Sequence, residues 1–445
     1  MRISRAGDHA LLIDLGTIDA AELHARAVAM KRVPGVVACI VGAQSLYVVF
    51  DHEPALTREI APGEVAPAPP RSHTIDVKFD GADLSEFLAA VAISRDAFLS
   101  RVAGLSLRAR YLGFRAGFAY LDGWPAEWAM PRRPTSRTRV PRGSFAIAGA
   151  VAGFYPIDSP GGWNLLGRTD TVLWDARRTP PHLIAAGDEV TIVPVVRALA
   201  LCEIAEELPA SLPGGVEVIG RLSSIVGAPD WGRVDEGRSP GGPFDPEAAA
   251  HANALVGNAA EAPLVECAML GPHVRFAEPR VVAWCGADCG LPQDEPFVAK
   301  DELHLARLTG GLRGWLAIGG GPDSHTTSAD PSSLRDRGDR LTIRVLNGPH
   351  DAPQTTVVCE VTPQLDRVGI RLRPLVPVPL SAPADLPSCG MQFGTVQLHP
   401  DGSLIAMGPD HPVTGGYLQP FTVRWDERWK LAQLSPGERV AFTFE

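Results

Sequence analysis

Hydrophobic and polar positions along the start of the chain predict a small two-layer module. Residues 8–15, 36–41 and 45–50 are strand-like apolar runs, and residues 18–31 carry apolar side chains at helical spacing. The order strand, helix, strand, strand is typical of an α+β fold. Residues 61–70 are rich in proline and alanine without periodicity, which predicts a tether that ends this first domain, residues 1–70.

A different pattern of hydrophobic and turn residues begins after the tether and predicts a β-barrel domain over residues 71–197. A strand over 74–79 precedes amphipathic helices near 83–91 and 94–103, and short apolar runs separated by glycine and proline turns follow. The next segment, 198–215, predicts a linker helix that prolines and a glycine pair terminate.

The remaining residues, 216–445, predict a double β-barrel region with one clear helix. Asp245 is placed to cap a helix over 246–256, because Pro246 lies in its first turn and Gly257 lies just beyond its end. The other apolar runs are short and bounded by turns. The sequence therefore predicts a mainly β chain with an α+β module at its start.

A weak internal repeat indicates that two of these barrels are related. In each copy a strand leads to a Gly-Gly-aromatic turn and then to a closing strand after a Gly-acid turn. The turn and closing strand occupy 161–163 and 187–192 in the first copy, and 415–417 and 437–442 in the second. Glycine at such turns permits positive φ and close approach of the backbone. We interpret the repeat as shared ancestry of two barrels.

Composition and charge exclude several classes of function. The 445 residues carry a net charge of −10, which argues against a nucleic-acid or anionic-membrane partner. No run approaches about 18 apolar residues, and the first apolar run is too short for a secretory signal. The seven cysteines are an odd number scattered along the chain, so they indicate no set of disulfide pairs and suit a reducing, cytoplasmic location. The close pair Cys285 and Cys289 is interpreted as small buried residues, and no metal site is predicted.

Candidate chemistry concentrates in residues 111–168, where tyrosines and tryptophans alternate with arginines. The chain has no phosphate-binding P-loop, no nucleophile elbow and no zinc-protease motif. Guanidinium groups bind carboxylates through two hydrogen bonds and aromatic rings wall pockets, so the block predicts a site for a small planar anion or amide. A barrel rim with solvated arginines and aromatic core residues is the alternative.

The second half offers three further candidates. His411 follows Asp410 in a turn, where it is either a general base or metal ligand or an unreactive surface histidine. Asp245 is either a helix cap or a site residue. Arg367 lies in the conspicuous segment DRVGIR at 366–371.

Several motifs carry a resemblance to a known family. The first half contains GFRAGFAYL at 113–121, PRR at 131–133, RTRVPRGS at 137–144 and YPIDSPGGWNLLGRT at 155–169. It resembles the B subunit of bacterial 5-oxoprolinase, also called allophanate hydrolase subunit 1 or the sporulation-kinase inhibitor family. The second half contains DWGR at 230–233, ANALVGN at 252–258, LVE at 264–266, DRVGIRL at 366–372 and TGGY at 414–417. It resembles the C subunit, allophanate hydrolase subunit 2.

The resemblance implies a fused B and C pair with a ferredoxin-like module followed by cyclophilin-like barrels. Such pairs are also similar to the carboxyltransferase domain of urea carboxylase. The implied activity is ATP-dependent opening of the 5-oxoproline lactam to glutamate. The resemblance also implies a separate A subunit as partner, and this subunit is a candidate to bind the ATP. The chain itself is a candidate to form a homo-oligomer. We select as substrate-binding candidates Tyr120, Arg132, Arg139, Ser159, Trp163, Arg168 and Gln397, and as catalytic candidates Asp245, Arg367 and His411.

Departures from the family pattern keep other functions open. Ala116 stands where the family usually has proline, and Pro229 stands where the family's second component has glutamine. The family's usual upstream histidine has no counterpart around residues 101–105, and Gly241 stands where the second component has serine. The loss of a histidine, a glutamine and a serine from motif positions threatens catalysis more than fold. A non-catalytic binding or regulatory protein that acts like a kinase inhibitor is therefore an alternative. A component of carboxyltransferase type is another, and it would need a biotin-carrier partner. The sequence favours the enzyme.

Overall fold

The computed structural model describes all residues except 55–68, 136, 208–211, 213, 305, 321–338, 351, 353 and 381–385. The predicted tether therefore lies mostly outside the described residues. Of the described helices, none has the length and apolar character that crossing a bilayer requires.

The N-terminal module has one four-stranded antiparallel sheet of order β1-β2-β4-β3 and one helix. Its elements are β1 (Arg2–Arg5), β2 (Ala10–Asp14), α1 (Ala20–Met30), β3 (Val36–Val41) and β4 (Ser45–Phe50). The predicted strands and helix are present, and β1 is an additional strand that pairs with β2. A ferredoxin-like arrangement is not confirmed, because the described module has one helix and the sheet order given above.

The first barrel contains a seven-stranded sheet of order β12-β9-β10-β7-β6-β13-β5, with β8 and β11 paired as a separate ribbon. A bridge between Lys78 and Arg168 joins the two edges of this sheet. Its elements are β5 (Ser72–Val77), α2 (Leu84–Ala90), α3 (Arg95–Val102), β6 (Ser106–Leu112), β7 (Ala119–Asp122), β8 (Arg137–Val140), β9 (Ser144–Ala148), β10 (Val151–Phe154), β11 (Ser159–Gly161), β12 (Asn164–Arg168) and β13 (Glu189–Pro194). The predicted strand and both amphipathic helices are confirmed.

The linker helix predicted in 198–215 is wrong for the residues described there, 198–207, 212 and 214–215, which form no helix. Their backbone instead bonds to the first barrel. The amide of Ala176 donates to the carbonyl of Ala205 at 2.8 Å, and the Trp174 indole donates to the carbonyl of Glu206 at 2.9 Å. These bonds satisfy backbone groups that a helix would have paired internally.

The middle unit consists of two open sheets, of order β14-β17-β20 and β15-β16-β21-β18-β19. The sequence predicts two barrels in 216–445, but the first of these units is a half-barrel, because its sheets do not close. Its elements are β14 (Val216–Val218), β15 (Ser223–Val226), α4 (Pro246–Leu255), β16 (Leu264–Ala268), β17 (His273–Phe276), β18 (Arg280–Asp288), β19 (Pro296–Ala299), β20 (Glu302–His304) and β21 (Thr309–Ile318). The helix α4 confirms the prediction: Asp245 accepts a hydrogen bond from Ala248 and Pro246 is the first helical residue.

The second barrel is closed, with order β22-β29-β26-β27-β24-β23-β30, and has a side ribbon of β25 and β28. Its elements are β22 (Thr342–Asn347), β23 (Val357–Leu365), β24 (Gly369–Pro374), β25 (Cys389–Gly390), β26 (Thr395–Leu398), β27 (Leu404–Met407), β28 (Thr414–Gly415), β29 (Leu418–Val423), α5 (Arg428–Ala432) and β30 (Arg439–Phe444). Its core is continuous with that of the middle unit.

The two barrels have the same strand order, which supports the predicted repeat. In each, the first and last strands pair in parallel, as β5 with β13 and β22 with β30. In each, the Gly-Gly-aromatic turn begins at the last residue of the second strand of the side ribbon. The N-terminal module bridges the two barrels, since one face of its sheet shares a cluster with Cys389 and Val413 while Val41 and Ala43 pack against the first barrel.

Candidate functional site

A groove of about 370 Å³ lies where the two barrels meet. Both Gly-Gly-aromatic turns of the repeat line it, together with side chains from the sheet of each barrel. Its volume falls in the range of small-molecule sites. The lining residues include Phe114, Phe118, Tyr120, Arg132, Arg133, Tyr155, Gly161, Gly162, Trp163, Ser388, Met391, Gln397, His399, Thr414, Gly415, Gly416 and Tyr417.

Aromatic rings form the wall that the first barrel contributes. The rings of Phe118 and Trp163 meet edge to face at 5.3 Å and 90°, and Tyr120 meets Trp163 at 5.6 Å and 72°. Tyr111 stacks behind Tyr120 at 4.4 Å. These side chains are buried in one cluster, so the wall is held rigidly by packing.

The three arginines selected as carboxylate binders do not converge. Arg139 is 76% exposed and donates two hydrogen bonds to Asp158, and Arg168 is 57% exposed and pairs with Asp80. Neither lines the groove. Arg132 does, and no carboxylate among the described residues lies within ion-pairing distance of it. The structure thus corrects the predicted cluster to one guanidinium group with its hydrogen-bonding capacity available.

Gln397 lines the same groove as Arg132 and comes from the second barrel. Its side chain is 3% exposed, and its Nε2 amide has no hydrogen-bond partner among the described residues. A Cβ atom added at Gly415 would lie 2.6 Å from this Nε2 atom and closer still to the terminal methyl of Met391, so a larger residue there would force the ends of both side chains to move. A buried amide donor without a partner costs free energy, and a ligand carbonyl in the groove would remove that cost.

The protonation states of the lining groups are fixed by burial. Burial raises the pKa of Tyr120, against the opposing effects of the Arg132 charge and a hydrogen bond with Thr414. Burial, aided by the charge of Arg371, lowers the pKa of His399 to about 4. His399 lies 4.2 Å from the ring of Tyr417. At neutral pH the tyrosine and the histidine are therefore neutral, and Arg132 supplies the positive charge.

The other substrate-binding candidates are distributed as follows. Trp163 lines the groove, as described above. Ser159 is buried beside it in β11, and its Oγ atom has no hydrogen-bond partner among the described residues. Ser159 does not itself line the groove, although Pro160 does. Its role in binding stays a prediction.

A larger and more open cavity of about 500 Å³ lies between the N-terminal module and the first barrel. Its arginines are already paired: Arg108 with Asp19 at 3.3 Å, and Arg110 with Asp122 at 2.8 Å. These carboxylates neutralise the charge that an anionic ligand would need. The groove between the barrels is therefore the better candidate for an anion.

The family motifs of the second half meet in a buried ionic network rather than in the groove. Glu266 accepts hydrogen bonds from the Phe244 amide at 2.7 Å, the Trp315 indole at 2.9 Å and Arg367 at 2.7 Å. Arg367 also bonds to Asp410 at 2.7 and 2.9 Å. Burial alone would lower the pKa of Arg367, but the charges of Glu266 and Asp410 outweigh it and raise the pKa.

The three catalytic candidates all occupy structural positions. Asp245 caps α4, and Arg367 joins the middle unit to the second barrel. His411 is fully buried, with Nδ1 placed 2.8 Å from the carbonyl of Pro412 and Nε2 unpartnered among the described residues. Burial lowers the pKa of His411 to about 4. None of the three lines the groove, and their catalytic role stays a prediction.

Sequence reasoning missed part of the groove. His399 and Ser388 carry no motif that marks them, and they reach the groove only because the second barrel places them there. Thr414 and Tyr417 had a signal, since they flank the repeated glycine pair. That signal was interpreted as a turn, although a turn that recurs in two facing barrels can also line a shared site.

Comparisons with known proteins place both halves. The carboxyltransferase domain family matches the chain twice: subdomains C and D match residues 1–184, and subdomains A and B match residues 236–329 and 323–444. The solved structure of TTHA0988 superposes with a TM-score of 0.80 and 27% identity, covering 98% of this chain and 99% of that one.

Named relatives match each half separately. The chain is 50% identical over 82 residues to the 5-oxoprolinase B subunit of Haemophilus influenzae, which covers 18% of this chain and 38% of that protein. It is 27% identical over 253 residues to the 5-oxoprolinase C subunit of Escherichia coli, which covers 45% of this chain and 81% of that protein. The chain thus spans well under two thirds of the Haemophilus relative. The chain belongs to the carboxyltransferase domain family, with subdomains C and D ahead of A and B, and its two halves are similar to 5-oxoprolinase subunits B and C in that order.

Proposed function

We propose that this chain is the fused B and C component of an ATP-dependent 5-oxoproline hydrolase that produces glutamate together with a separate A-type subunit. The observation that supports it most is the groove between the barrels. Among the described residues, it combines a guanidinium group without a carboxylate partner, a buried amide donor and an aromatic wall. Relatives of both halves bear the names of 5-oxoprolinase subunits.

The groove suits a compact lactam that carries a carboxylate. Arg132 can bind the carboxylate through two parallel hydrogen bonds. The Nε2 amide of Gln397 can donate to the lactam carbonyl, which satisfies an otherwise unpartnered buried donor. The rings of Tyr120 and Trp163 cover the apolar ring carbons and exclude water. Together these contacts would fix both ends of a small ring.

The chemistry requires the lactam carbonyl to become a better electrophile. ATP supplies a phosphoryl group that makes the carbonyl oxygen a leaving group. Transfer of the phosphoryl group to the carbonyl oxygen would release ADP. Water would then add to the carbonyl carbon, the ring C–N bond would break with a proton going to the nitrogen, and a second water would release phosphate from the resulting acyl phosphate to give glutamate. The residues of this chain would hold the substrate by its other carboxylate throughout. Gln397 would stabilise negative charge that develops on the carbonyl oxygen, and Arg132 would keep the substrate oriented.

The A-type subunit is the proposed location of ATP. The chain has no P-loop, and the second arginine lining the groove, Arg133, already pairs with Asp83 at 2.9 Å. Arg132 alone matches one carboxylate better than a triphosphate, which carries several charges. The fused chain would then bind the lactam, and its partner would deliver the phosphoryl group.

Release of glutamate tests this proposal. The purified chain is combined with a candidate A-type subunit, ATP and 5-oxoproline, and glutamate is measured over time. We expect glutamate only when all four are present, with Arg132→Ala much slower than wild type. Release no greater than that of each protein alone would contradict the proposal.

Carboxyl transfer is a second candidate, favoured by the match of both halves to carboxyltransferase subdomains. The chain contains no Ala-Met-Lys-Met biotinylation site, so a separate biotin carrier would be required. Transfer of labelled carboxylate from a carboxylated carrier to an amide, in the presence of this chain, would support this candidate over the hydrolase.

A further inference from the structure

A cluster of three metal-binding side chains lies in the middle unit, away from the groove. His251 is on α4, Cys285 is on β18, and Asp294 is in the loop after β18. Their donor atoms, a histidine nitrogen, the cysteine sulfur and a carboxylate oxygen, all lie within 4.8 Å of one another. Residues far apart in sequence are thus brought to one point by the packing of the helix on the strand.

The His251 side chain has a buried ring nitrogen that is available to bind a metal ion. It is 8% exposed, and its Nε2 atom has no hydrogen-bond partner among the described residues. The nearest carboxylate oxygen, Oδ1 of Asp294, is 3.8 Å away, which is too long for a hydrogen bond. Two ligands about 2.1 Å from a tetrahedral ion lie roughly 3.4 Å apart. The spacing therefore fits two groups that share one ion.

The charges also balance. A thiolate from Cys285 and the carboxylate of Asp294 would together neutralise a divalent cation, while His251 would bind as the neutral imidazole. Burial of the ion would then leave no uncompensated charge. Cys285 is fully buried, which does not suit a nucleophile that must reach a substrate. Nitrogen and sulfur donors favour zinc over magnesium or calcium.

We propose that His251, Cys285 and Asp294 bind one zinc ion, with the fourth coordination position left for water or another small ligand. The surrounding structure fixes the donors. The Asp294 amide donates to the carbonyl of Trp284 at 3.2 Å, which ties the loop to β18. Cys289, the other member of the close cysteine pair in the sequence, is not part of the cluster.

Metal binding by the full chain tests the proposal. The protein is stripped with a chelator, dialysed, and titrated with Zn²⁺ against a chromophoric competitor. We expect one Zn²⁺ per chain, and at least an approximately tenfold weaker affinity for Cys285→Ser and Asp294→Asn, because even indirect partners of metal ligands cost that much when changed. Cys289→Ser, which removes another buried cysteine, should bind as wild type does.

Substitution by Co²⁺ gives an independent result. Bound cobalt should show a thiolate charge-transfer band in wild type, Cys289→Ser and, at higher cobalt, Asp294→Asn. If Cys285→Ser fails to fold by circular dichroism, the wild-type band and the Asp294→Asn affinity decide the matter, because Asp294 lies in a loop. Substoichiometric Zn²⁺ binding by wild type, no thiolate band, or unchanged affinity in folded Asp294→Asn would overturn the proposal.

Discussion

Replacement of Glu266 by alanine should destabilise the junction between the middle unit and the second barrel. Glu266 is 3% exposed and accepts hydrogen bonds from Arg367, the Phe244 amide and the Trp315 indole. Arg313, 1% exposed, lies 3.8 Å from it. Burial lowers the pKa of Arg313 to about 10, so it stays charged at neutral pH. The substitution therefore leaves buried positive charge without its main counter-charge.

The expected loss follows from what remains unpaired. Removing one member of a buried ion pair costs about 3–5 kcal/mol. Three hydrogen bonds to a charged acceptor, at about 1.5–3 kcal/mol each, would give more if they were additive, but they share one carboxylate and relax together. Asp410 continues to neutralise part of the Arg367 charge. We therefore expect a loss of about 3–5 kcal/mol for Glu266→Ala, and a smaller loss for Glu266→Gln, which keeps an acceptor.

Hydrogen exchange in the intact chain measures this effect, because it reports local opening without assuming that all units unfold together. Peptides that cover β16 and β21 should exchange faster in Glu266→Ala, by the factor that the expected loss of about 3–5 kcal/mol corresponds to. The control is Glu360→Ala, which breaks an exposed pair with Arg373 and should cost less than about 1 kcal/mol. Equal exchange in the two variants at these strands would show that Glu266 does not stabilise this junction.

Three further predictions follow from the groove and the buried histidine. Arg132→Ala should weaken 5-oxoproline binding by roughly ten- to hundredfold, whereas Arg139→Ala should leave it unchanged. Isothermal titration of each variant, or its KM for 5-oxoproline, measures the effect. Gly415→Ala should lower glutamate production, because its Cβ would come within 2.6 Å of Nε2 of Gln397. His411→Gln should reduce the loss of stability on acidification from about pH 6.5 to about pH 4, measured as the urea midpoint.

The sign of the pH effect comes from the lowered pKa of His411. Between about pH 4 and pH 6.5 the unfolded chain binds a proton that the folded chain does not, so stability falls as the pH falls through this window. His399 has a similarly lowered pKa and keeps its own contribution. His52→Gln, at an exposed residue, is the matched control. Identical pH profiles for wild type and His411→Gln would contradict the prediction.

The glycine prediction also has a control. Gly104 would gain a Cβ whose nearest neighbour is the carbonyl oxygen of Arg101 at 3.7 Å, an ordinary contact. Gly104→Ala should therefore leave glutamate production unchanged. A similar effect of both substitutions would show that the loss in Gly415→Ala does not come from displacement of Gln397.

Much of the fold could be predicted because local patterns determine it. The cap at Asp245 and the proline after it define the start of α4 through contacts that are local in sequence. The repeat predicts two related barrels because the turn conformation requires glycine, so glycines recur at matching positions of the two copies. The predicted linker helix is wrong because the apolar spacing of this segment matches a helix, while the hydrogen bonds from Ala176 and Trp174 that hold it in a non-helical conformation come from residues distant in sequence.

The site was predicted less well, for a physical reason. Composition indicates that arginines are abundant, but it cannot indicate which of them already have carboxylates. Asp158 and Asp80 neutralise Arg139 and Arg168, and only the three-dimensional arrangement shows that Arg132 has no such partner among the described residues. From the second barrel, the sequence selects only Gln397 as a substrate-binding candidate; the contributions of Ser388 and His399 depend on how the two barrels face each other.

The central claim is that the two barrels jointly form one lactam-binding site. A crystal structure of the chain with 5-oxoproline tests it most directly. We expect density for the ligand in the groove, with its carboxylate on Arg132 and its ring carbonyl on Nε2 of Gln397. Ligand density in the cavity that Arg108 and Arg110 line, or an empty groove at saturating 5-oxoproline, would contradict it.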